Sequence, residues 1–261
     1  MNHKTTTAAP RFGLSALVLG ALIPVTLLAV WFGLVLGNGA AEQTLADPGA
    51  VVRWGLPLLK GVLNLSMATA IGALALACYA AAEATTAFNR LRNLATGAAA
   101  IWALSGIGVL VFTYLSVTGQ GISASESFGS GLWLFATEIG LGQALSWNLG
   151  IAAGVAVLCA LVQRLTRMIF VAGLAFGGLI PLALTGHSAG ASGHGMAVNS
   201  LGLHLVGISL WVGGLVALLT VSRLLGEAVQ QWLQRYGQLA LVAYLLVASS
   251  GIASAMLRLN S

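Results

Sequence analysis

The stretch from residue 198 to residue 222, VNSLGLHLVGISLWVGGLVALLTVS, contains no Asp, Glu, Lys or Arg, and its one histidine is His204. About 20 predominantly apolar residues are enough to cross the hydrocarbon core of a bilayer as an α-helix. Lipid offers no hydrogen-bond partners, so a spanning segment must satisfy its own backbone N–H and C=O groups, as a helix does. The stretch therefore predicts a transmembrane helix.

Similar apolar stretches occur along the whole chain. Hydrophobic residues make up 58% of the 261 residues and charged residues only 7%, whereas soluble domains carry about 25% charged residues. This composition excludes a water-soluble domain. We predict an all-α, polytopic transmembrane bundle of about seven spans over residues 14–256. The six other predicted spans are 14–37, 55–82, 94–118, 146–163, 168–186 and 237–256. Residues 131–145 predict either an interfacial helix or an extension of the fourth span.

The basic residues between the spans predict the orientation. Most of them fall on one side, which the positive-inside rule assigns to the cytoplasm. Residues 1–13 then form a cytoplasmic tail, and residues 257–261 lie outside, as expected for a multi-pass protein of the cytoplasmic (inner) membrane. The net charge of +5 is spread in ones and twos, so the expected partner is the lipid bilayer and not a nucleic acid. Predicted inside are Lys4, Arg11, Arg90, Arg92, Arg164, Arg167, Arg223 and Arg235; predicted outside are Arg53, Lys60 and Arg258.

Three of the four histidines cluster near the outer ends of the fifth and sixth spans. His204 lies within the sixth span, and His187 and His194 lie in the connection before it, together with Met196. Ionisable side chains inside spans are costly and mark functional sites. Imidazole is a common metal ligand, and thioether sulfur favours Cu(I). The Gly-, Ser- and Ala-rich connection permits folding back toward His204. These residues predict a metal site suited to copper, while zinc binding, structural packing and proton handling remain open.

Several further residues suggest how the surroundings are built. Pro181 predicts a kink in the fifth span before His187. Trp211 follows His204 by two helical turns and is predicted to share its face, either as a floor beneath the imidazole or as a core residue. Glycine pairs predict tight helix crossings. These pairs are Gly213 with Gly214, Gly173 with Gly177, and Gly150 with Gly154.

Sulfur-containing residues also occur toward the predicted inner side. Met67 is in the middle of the second span, and Cys78 and Cys159 are near the cytoplasmic ends of the second and fourth spans. Soft sulfur ligands would suit an exit route for Cu(I). Buried Met and Cys residues are more often ordinary packing residues.

The region of about 170–222 resembles the signature of the CopD/PcoD family of copper-resistance membrane proteins. That resemblance rests on Gly186-His187, His204-Leu205, and then Trp211, Gly213, Gly214 and Leu215. It implies a cytoplasmic-membrane protein that binds or moves copper taken from the outer side, often with a periplasmic CopC-type copper-binding protein as partner. His187 and His204 are implied as ligands by position, whereas His194 and Met196 come from ligand chemistry alone. Some relatives resemble fusions to an oxidase-assembly-like membrane domain, so the chain is compatible with being the leading part of a longer polypeptide.

The leading hypothesis is copper import or copper handling across the cytoplasmic membrane, with copper bound as Cu(I) or Cu(II). No nucleotide-binding loop occurs, so transport would be driven by a gradient or by handover. A haem-binding membrane cytochrome using two of these histidines is one alternative. A copper-delivery or assembly factor for a respiratory oxidase is another. No enzyme activity is expected, since no Ser-His-acid set or carboxylate pair lies within the spans.

Replacing two histidines together separates these hypotheses. We expect the purified protein to bind copper and the His187→Ala/His204→Ala double variant to lose it, because imidazole nitrogens supply the ligands. Metal analysis and the visible spectrum of both proteins are the measurements. A Soret band that disappears in the variant would indicate haem instead, and identical metal content with no haem would indicate plain packing.

Overall fold

The computed structural model describes residues 14–42, 47–121, 123, 125–184 and 194–259, with the side chains of 14–19, 194–198 and 257–259 outside the description. Over these residues the chain is helical and has no β-strand. The helices are α1 (Leu14–Leu36), α2 (Ala50–Ala80), α3 (Thr86–Thr118), α4 (Glu126–Glu138), α5 (Gly140–Leu161), α6 (Leu165–Gly177), α7 (Leu179–Leu184), α8 (His194–Ile208), α9 (Gly214–Val221) and α10 (Val229–Leu259). A π-helix, Ser209–Gly213, joins α8 to α9.

The predicted polytopic helical bundle is confirmed. Six helical segments of the described chain are long and apolar enough to cross a membrane, and the 23-residue apolar helix α1 corresponds to the first predicted span. The six are Ala50–Ala80, Thr86–Thr118, Gly140–Leu161, Leu165–Leu184, Asn199–Leu224 and Gly226–Met256. Several begin earlier than predicted because hydropathy detects only the apolar part of a helix, whereas backbone hydrogen bonding continues into its polar ends.

Residues 131–145 do not form one element. They are divided at Ile139, where α4 ends and α5 begins. The second half therefore extends the fourth span, as one alternative predicted, and the first half belongs to a separate 13-residue helix.

Local sequence signals explain where several helices begin and end. Thr85 precedes α3, and its hydroxyl accepts a hydrogen bond from the Phe88 amide at 3.2 Å. Ser125 does the same for α4 with the Phe128 amide at 3.3 Å. Such N-caps satisfy amides that have no partner within the helix. Gly119 follows α3 with φ of 65°, a left-handed conformation that glycine adopts without a steric penalty.

Helices α2 and α3 form the centre of the bundle. α3 packs against α2 on one side and against α5 on the other. The largest side chains of this core include Trp102, Phe88, Met67 and Ile71, which are fully buried. Helix α10 packs mainly on α8 and leaves much of its apolar surface exposed, as expected for a helix whose outer face meets lipid.

A very close approach between two helices involves Gly72 of α2 and the π-helix. A Cβ atom at Gly72 would lie 2.1 Å from the carbonyl carbon of Gly213, and one at Gly213 would lie 1.8 Å from the carbonyl oxygen of Ala68. The two backbones are therefore in direct contact. The predicted tight crossing is confirmed at Gly213 and at Gly214, where a Cβ atom would lie 3.0 Å from the Tyr236 ring.

The other two glycine pairs do not mark tight crossings, so that prediction was wrong. A Cβ atom at Gly150, Gly173 or Gly177 would meet nothing within 4 Å, and one at Gly154 would make an ordinary contact with Leu174 at 3.8 Å. Small-residue spacing shows where a close approach is possible, but the packing of the whole bundle decides where it occurs.

Filling the crossing should destabilise the protein. We expect Gly72→Ala to lower stability by about 1–3 kcal/mol, the usual range for overpacking, because the methyl group must displace backbone. Gly150→Ala is the matched control, a helical glycine with open space, and should be neutral or stabilising by up to about 1 kcal/mol. Apparent melting temperatures of the two variants in detergent would check this. Equal melting temperatures would contradict the close crossing.

Candidate functional site

His204 is anchored to α10 through its imidazole. It lies on α8, is half-buried, and its Nδ1 is 3.1 Å from the hydroxyl oxygen of Ser250. Ser250 is 1% exposed, so this contact is within the α8–α10 interface. The histidine that the sequence placed inside a span is therefore held by a specific polar partner.

The hydrogen bonds of Ser250 indicate which imidazole nitrogen carries the proton. A hydroxyl has one hydrogen to donate, and that of Ser250 donates to the carbonyl oxygen of Val247 at 2.9 Å. The Ser250 oxygen is then an acceptor for His204, so both contacts are satisfied when Nδ1 carries a hydrogen. In the neutral imidazole this leaves Nε2 with a free lone pair. Metal-binding histidines are commonly oriented in this way by a hydrogen bond to the other nitrogen.

Serine hydroxyls extend the same interface by one more turn. Ser200, one turn before His204, donates to the carbonyl oxygen of Ser250 at 2.7 Å and is 2.8 Å from the hydroxyl of Ser254. One turn after His204, a Cβ atom at Gly207 would lie 2.9 Å from the carbonyl oxygen of Ala243. Hydrogen bonding across transmembrane helices and small residues both favour close association. These hydrogen bonds and the close approach at Gly207 hold α8 and α10 together around His204.

The other three predicted ligands fall at the edge of the described chain. His187 lies outside the described residues, and the side chains of His194 and Met196 do as well, although both belong to the backbone of α8. His194 begins that helix, ten residues before His204, which corresponds to about 15 Å along the axis at 1.5 Å per residue. The connection before the sixth span is therefore partly helical, and His194 and His204 lie at different depths. That the four side chains share one metal ion stays a prediction.

Within the described part of the chain, no group of three or more His, Cys, Asp and Glu residues is arranged to hold a metal ion. Trp211 does not form an enclosed floor beneath His204. It lies in the π-helix, is 41% exposed, and packs edge-on against Tyr244 of α10 with ring centroids 6.4 Å apart. A π-helix adds a residue to the helical turn, so a face predicted from regular α-helical spacing shifts there.

A second buried polar group, which sequence reasoning missed, joins three helices. The indole N–H of Trp102 in α3 donates to the side-chain oxygen of Asn148 in α5 at 3.0 Å, and the Asn148 amide donates to the carbonyl oxygen of Gly178 at 2.7 Å. Trp102 and Asn148 are at most 1% exposed. The signal available in the sequence was an asparagine inside an apolar span.

Gly178 is the point at which the fifth span breaks. α6 ends at Gly177 and α7 begins at Leu179, two residues before Pro181. Because proline cannot donate a backbone hydrogen bond and clashes with the preceding turn, helices kink at this position. The predicted break before Pro181 is therefore confirmed, and the Asn148 amide donates to the Gly178 carbonyl at the break. A Cβ atom at Gly178 would lie 2.6 Å from the Trp102 ring.

A cavity of about 500 Å³ lies between α1, α2, α3 and α9. Its wall is mostly apolar, with Ser66, Thr69 and Thr220 adding hydroxyls and Arg90 adding a charge. None of the predicted metal ligands lines it. Of the inner sulfur residues, Met67 and Cys159 are fully buried, and Cys78 is partly buried.

The fold and its internal polar contacts define the chain as a multi-pass helical membrane protein. Residues 46–198 match the family model described as "Copper resistance protein D-like, N-terminal domain". The match covers more than half of the chain, which therefore belongs to this family and has a role in copper resistance or copper handling. The matched region includes His187, His194 and Met196 and ends before His204. No curated protein and no solved structure matches the chain.

Removing the Asn148 amide should destabilise the kinked helix. We expect Asn148→Leu to cost about 1–3 kcal/mol, because it leaves the buried Trp102 indole N–H without its acceptor and removes the hydrogen bond to the Gly178 carbonyl. The exposed Asn89 provides a matched control, since Asn89→Leu removes no buried contact. Melting temperatures in detergent measure both.

A double-mutant cycle with Trp102→Phe sharpens this prediction. Because the phenylalanine has no N–H to leave unpaired, the combined loss should be smaller than the sum of the two single losses. Strict additivity would show that the hydrogen bond between Trp102 and Asn148 contributes nothing.

Proposed function

We propose that this protein carries copper inward across the cytoplasmic membrane, with His204 as a ligand within the span. Two observations support this proposal. The chain belongs to a copper-resistance family, and the Nδ1 atom of His204 is hydrogen-bonded to the Ser250 hydroxyl. The orientation comes from the distribution of Lys and Arg, which predicts that the start of α8 faces outward. With the opposite orientation, the same residues would serve efflux.

The hydrogen bond between His204 and Ser250 is the observation on which the proposal rests. Through this bond Ser250 holds Nδ1 as a donor and leaves Nε2 available for a metal ion. A hydrogen bond that orients a metal-binding imidazole typically changes metal affinity by about 10–100-fold.

His187, His194 and Met196 would form the outer capture site ahead of His204. The helical spacing of about 15 Å between His194 and His204 favours two successive positions along one path. Copper would bind first at the outer ligands and then pass to His204. A periplasmic CopC-type protein is the proposed donor, and a gradient or handover would supply the driving force.

Copper accumulation in cells tests the proposal. We expect His204→Ala to abolish the copper uptake that depends on this protein, because it removes the intramembrane ligand. Ser250→Ala should weaken copper binding by about 10–100-fold, since it frees the imidazole to rotate. Ser249→Ala is the matched control, because Ser249 is the exposed neighbour and bonds only the Leu246 carbonyl among its described partners. Cellular copper content and copper binding by the purified proteins are the measurements.

Three outcomes would overturn import. Unchanged accumulation in His204→Ala, with no copper bound by the purified wild type, would refute it entirely. A Soret band would indicate a cytochrome. Normal copper content with loss of respiratory oxidase activity would indicate a copper-delivery or assembly factor.

A further inference from the structure

The cavity between α1, α2, α3 and α9 follows one face of α3, starting near the end of that helix that the basic residues predict to be cytoplasmic. Its α3 wall consists of residues three or four positions apart, which is the spacing of one helix face. They are Arg90, Asn93, Leu94, Gly97, Ala98 and Ile101. From the first to the last of these the helix rises about 16 Å at 1.5 Å per residue. One leaflet contributes about 15 Å of hydrocarbon, half of the bilayer core, so the cavity has the depth of one acyl-chain layer.

This cavity is open toward the lipid-facing surface of the bundle. Ile23 of α1 and Ile101 of α3 belong to two of its walls and are 45% and 41% exposed. Gly97 leaves further room in the α3 wall, since a Cβ atom there would meet nothing within 4 Å. A hydrocarbon chain from the surrounding bilayer can therefore enter the cavity from the side.

The three hydroxyl groups in the wall are already used within their own helices. Each donates to a carbonyl oxygen three or four residues earlier, at 2.8–3.0 Å. These residues are Ser66, Thr69 and Thr220. A hydroxyl has one hydrogen, and once donated it is not available to a ligand. The middle of the cavity therefore favours an apolar occupant over a polar small molecule.

The polar groups that remain available stand at one end of the cavity. Arg90 and Asn93 line it there, and both are exposed. The ion pairs among the described residues involve Arg53 and not Arg90. A guanidinium is always charged, and its planar set of donors matches a phosphate group. Basic pockets between transmembrane helices on the cytoplasmic side bind anionic lipid headgroups. The charge at this end is thus complementary to a phosphate, while the rest of the wall is complementary to a hydrocarbon chain.

We propose that this cavity binds one anionic phospholipid of the cytoplasmic leaflet. Its phosphate lies on Arg90 and Asn93, and one acyl chain runs along α3 toward Ile101. The bound chain fills the space between α1 and α3, and so supports α1, which packs against α2 and α9. This inference is independent of the copper path, because none of the predicted metal ligands lines the cavity.

Two phospholipids with identical chains test the preference for negative charge. The full chain is purified in detergent, stripped of co-purifying lipid, and titrated with dioleoyl phosphatidylglycerol or dioleoyl phosphatidylcholine, and native mass spectrometry counts the bound lipids. We expect one phosphatidylglycerol to bind about fivefold more tightly than phosphatidylcholine, as one cationic contact with an anionic lipid provides. Phosphatidylglycerol should also raise the melting temperature, because a ligand that binds the folded state stabilises it.

Replacing Arg90 tests the headgroup contact. Arg90→Gln should remove the fivefold preference and leave the weaker binding of phosphatidylcholine unchanged. Arg164→Gln is the matched control, because Arg164 is an exposed basic residue between α5 and α6 at the same end of the bundle and does not line the cavity. This control should keep the preference of the wild type.

Filling the apolar part of the cavity tests the acyl-chain contact. Gly97→Leu should weaken the binding of both lipids, whereas Gly150→Leu, at a helical glycine with equally open space outside the cavity, should bind them as the wild type does. Equal affinity of the wild type for the two lipids, an unchanged preference in Arg90→Gln, or full binding in Gly97→Leu would overturn the site. The comparison of the two lipids on the wild type needs no substitution, so a variant that fails to fold leaves the test intact.

Discussion

Polar groups buried among these helices must form hydrogen bonds with other protein groups, because no water is available to them. In hydrocarbon an unsatisfied donor or acceptor is costly. His204 answers the constraint through Ser250, and Asn148 answers it by linking the Trp102 indole to the Gly178 carbonyl. Each arrangement joins helices that are far apart in sequence. The polar residues therefore stabilise these particular helix pairings.

The same constraint applies to the basic side chains near the helix ends. Arg235 donates to the carbonyl oxygen of Ala80 at the end of α2, and Arg53 pairs with Asp47. Arg92 has two buried nitrogens, Nε and Nη1, for which the described residues supply no hydrogen-bond partner.

Direct backbone contact between Gly72 and Gly213 also holds two helices of the bundle together. It lies along the span that carries His204 and coincides with a π-helix, an element often found at functional sites. The extra residue in that turn changes the direction in which Trp211 points, which explains why the indole packs on Tyr244 and leaves His204 without a floor. A local irregularity in one helix thus changes the surroundings of the proposed ligand.

The sequence by itself determined the membrane-spanning helical fold, the kink before Pro181, the crossing at Gly213 and the copper-resistance family. These depend on hydropathy, on the missing proline N–H and on local motifs, all of which act over a few neighbouring residues. Only the tertiary structure decided that Ser250 holds His204, that Asn148 links Trp102 to Gly178, and that Gly150 and Gly173 meet open space. The hydrogen bonds join residues up to 46 positions apart, as between His204 and Ser250, and helix packing selects them. Any apolar helix surface is equally favourable in lipid, so hydropathy does not predict which helices pack against each other.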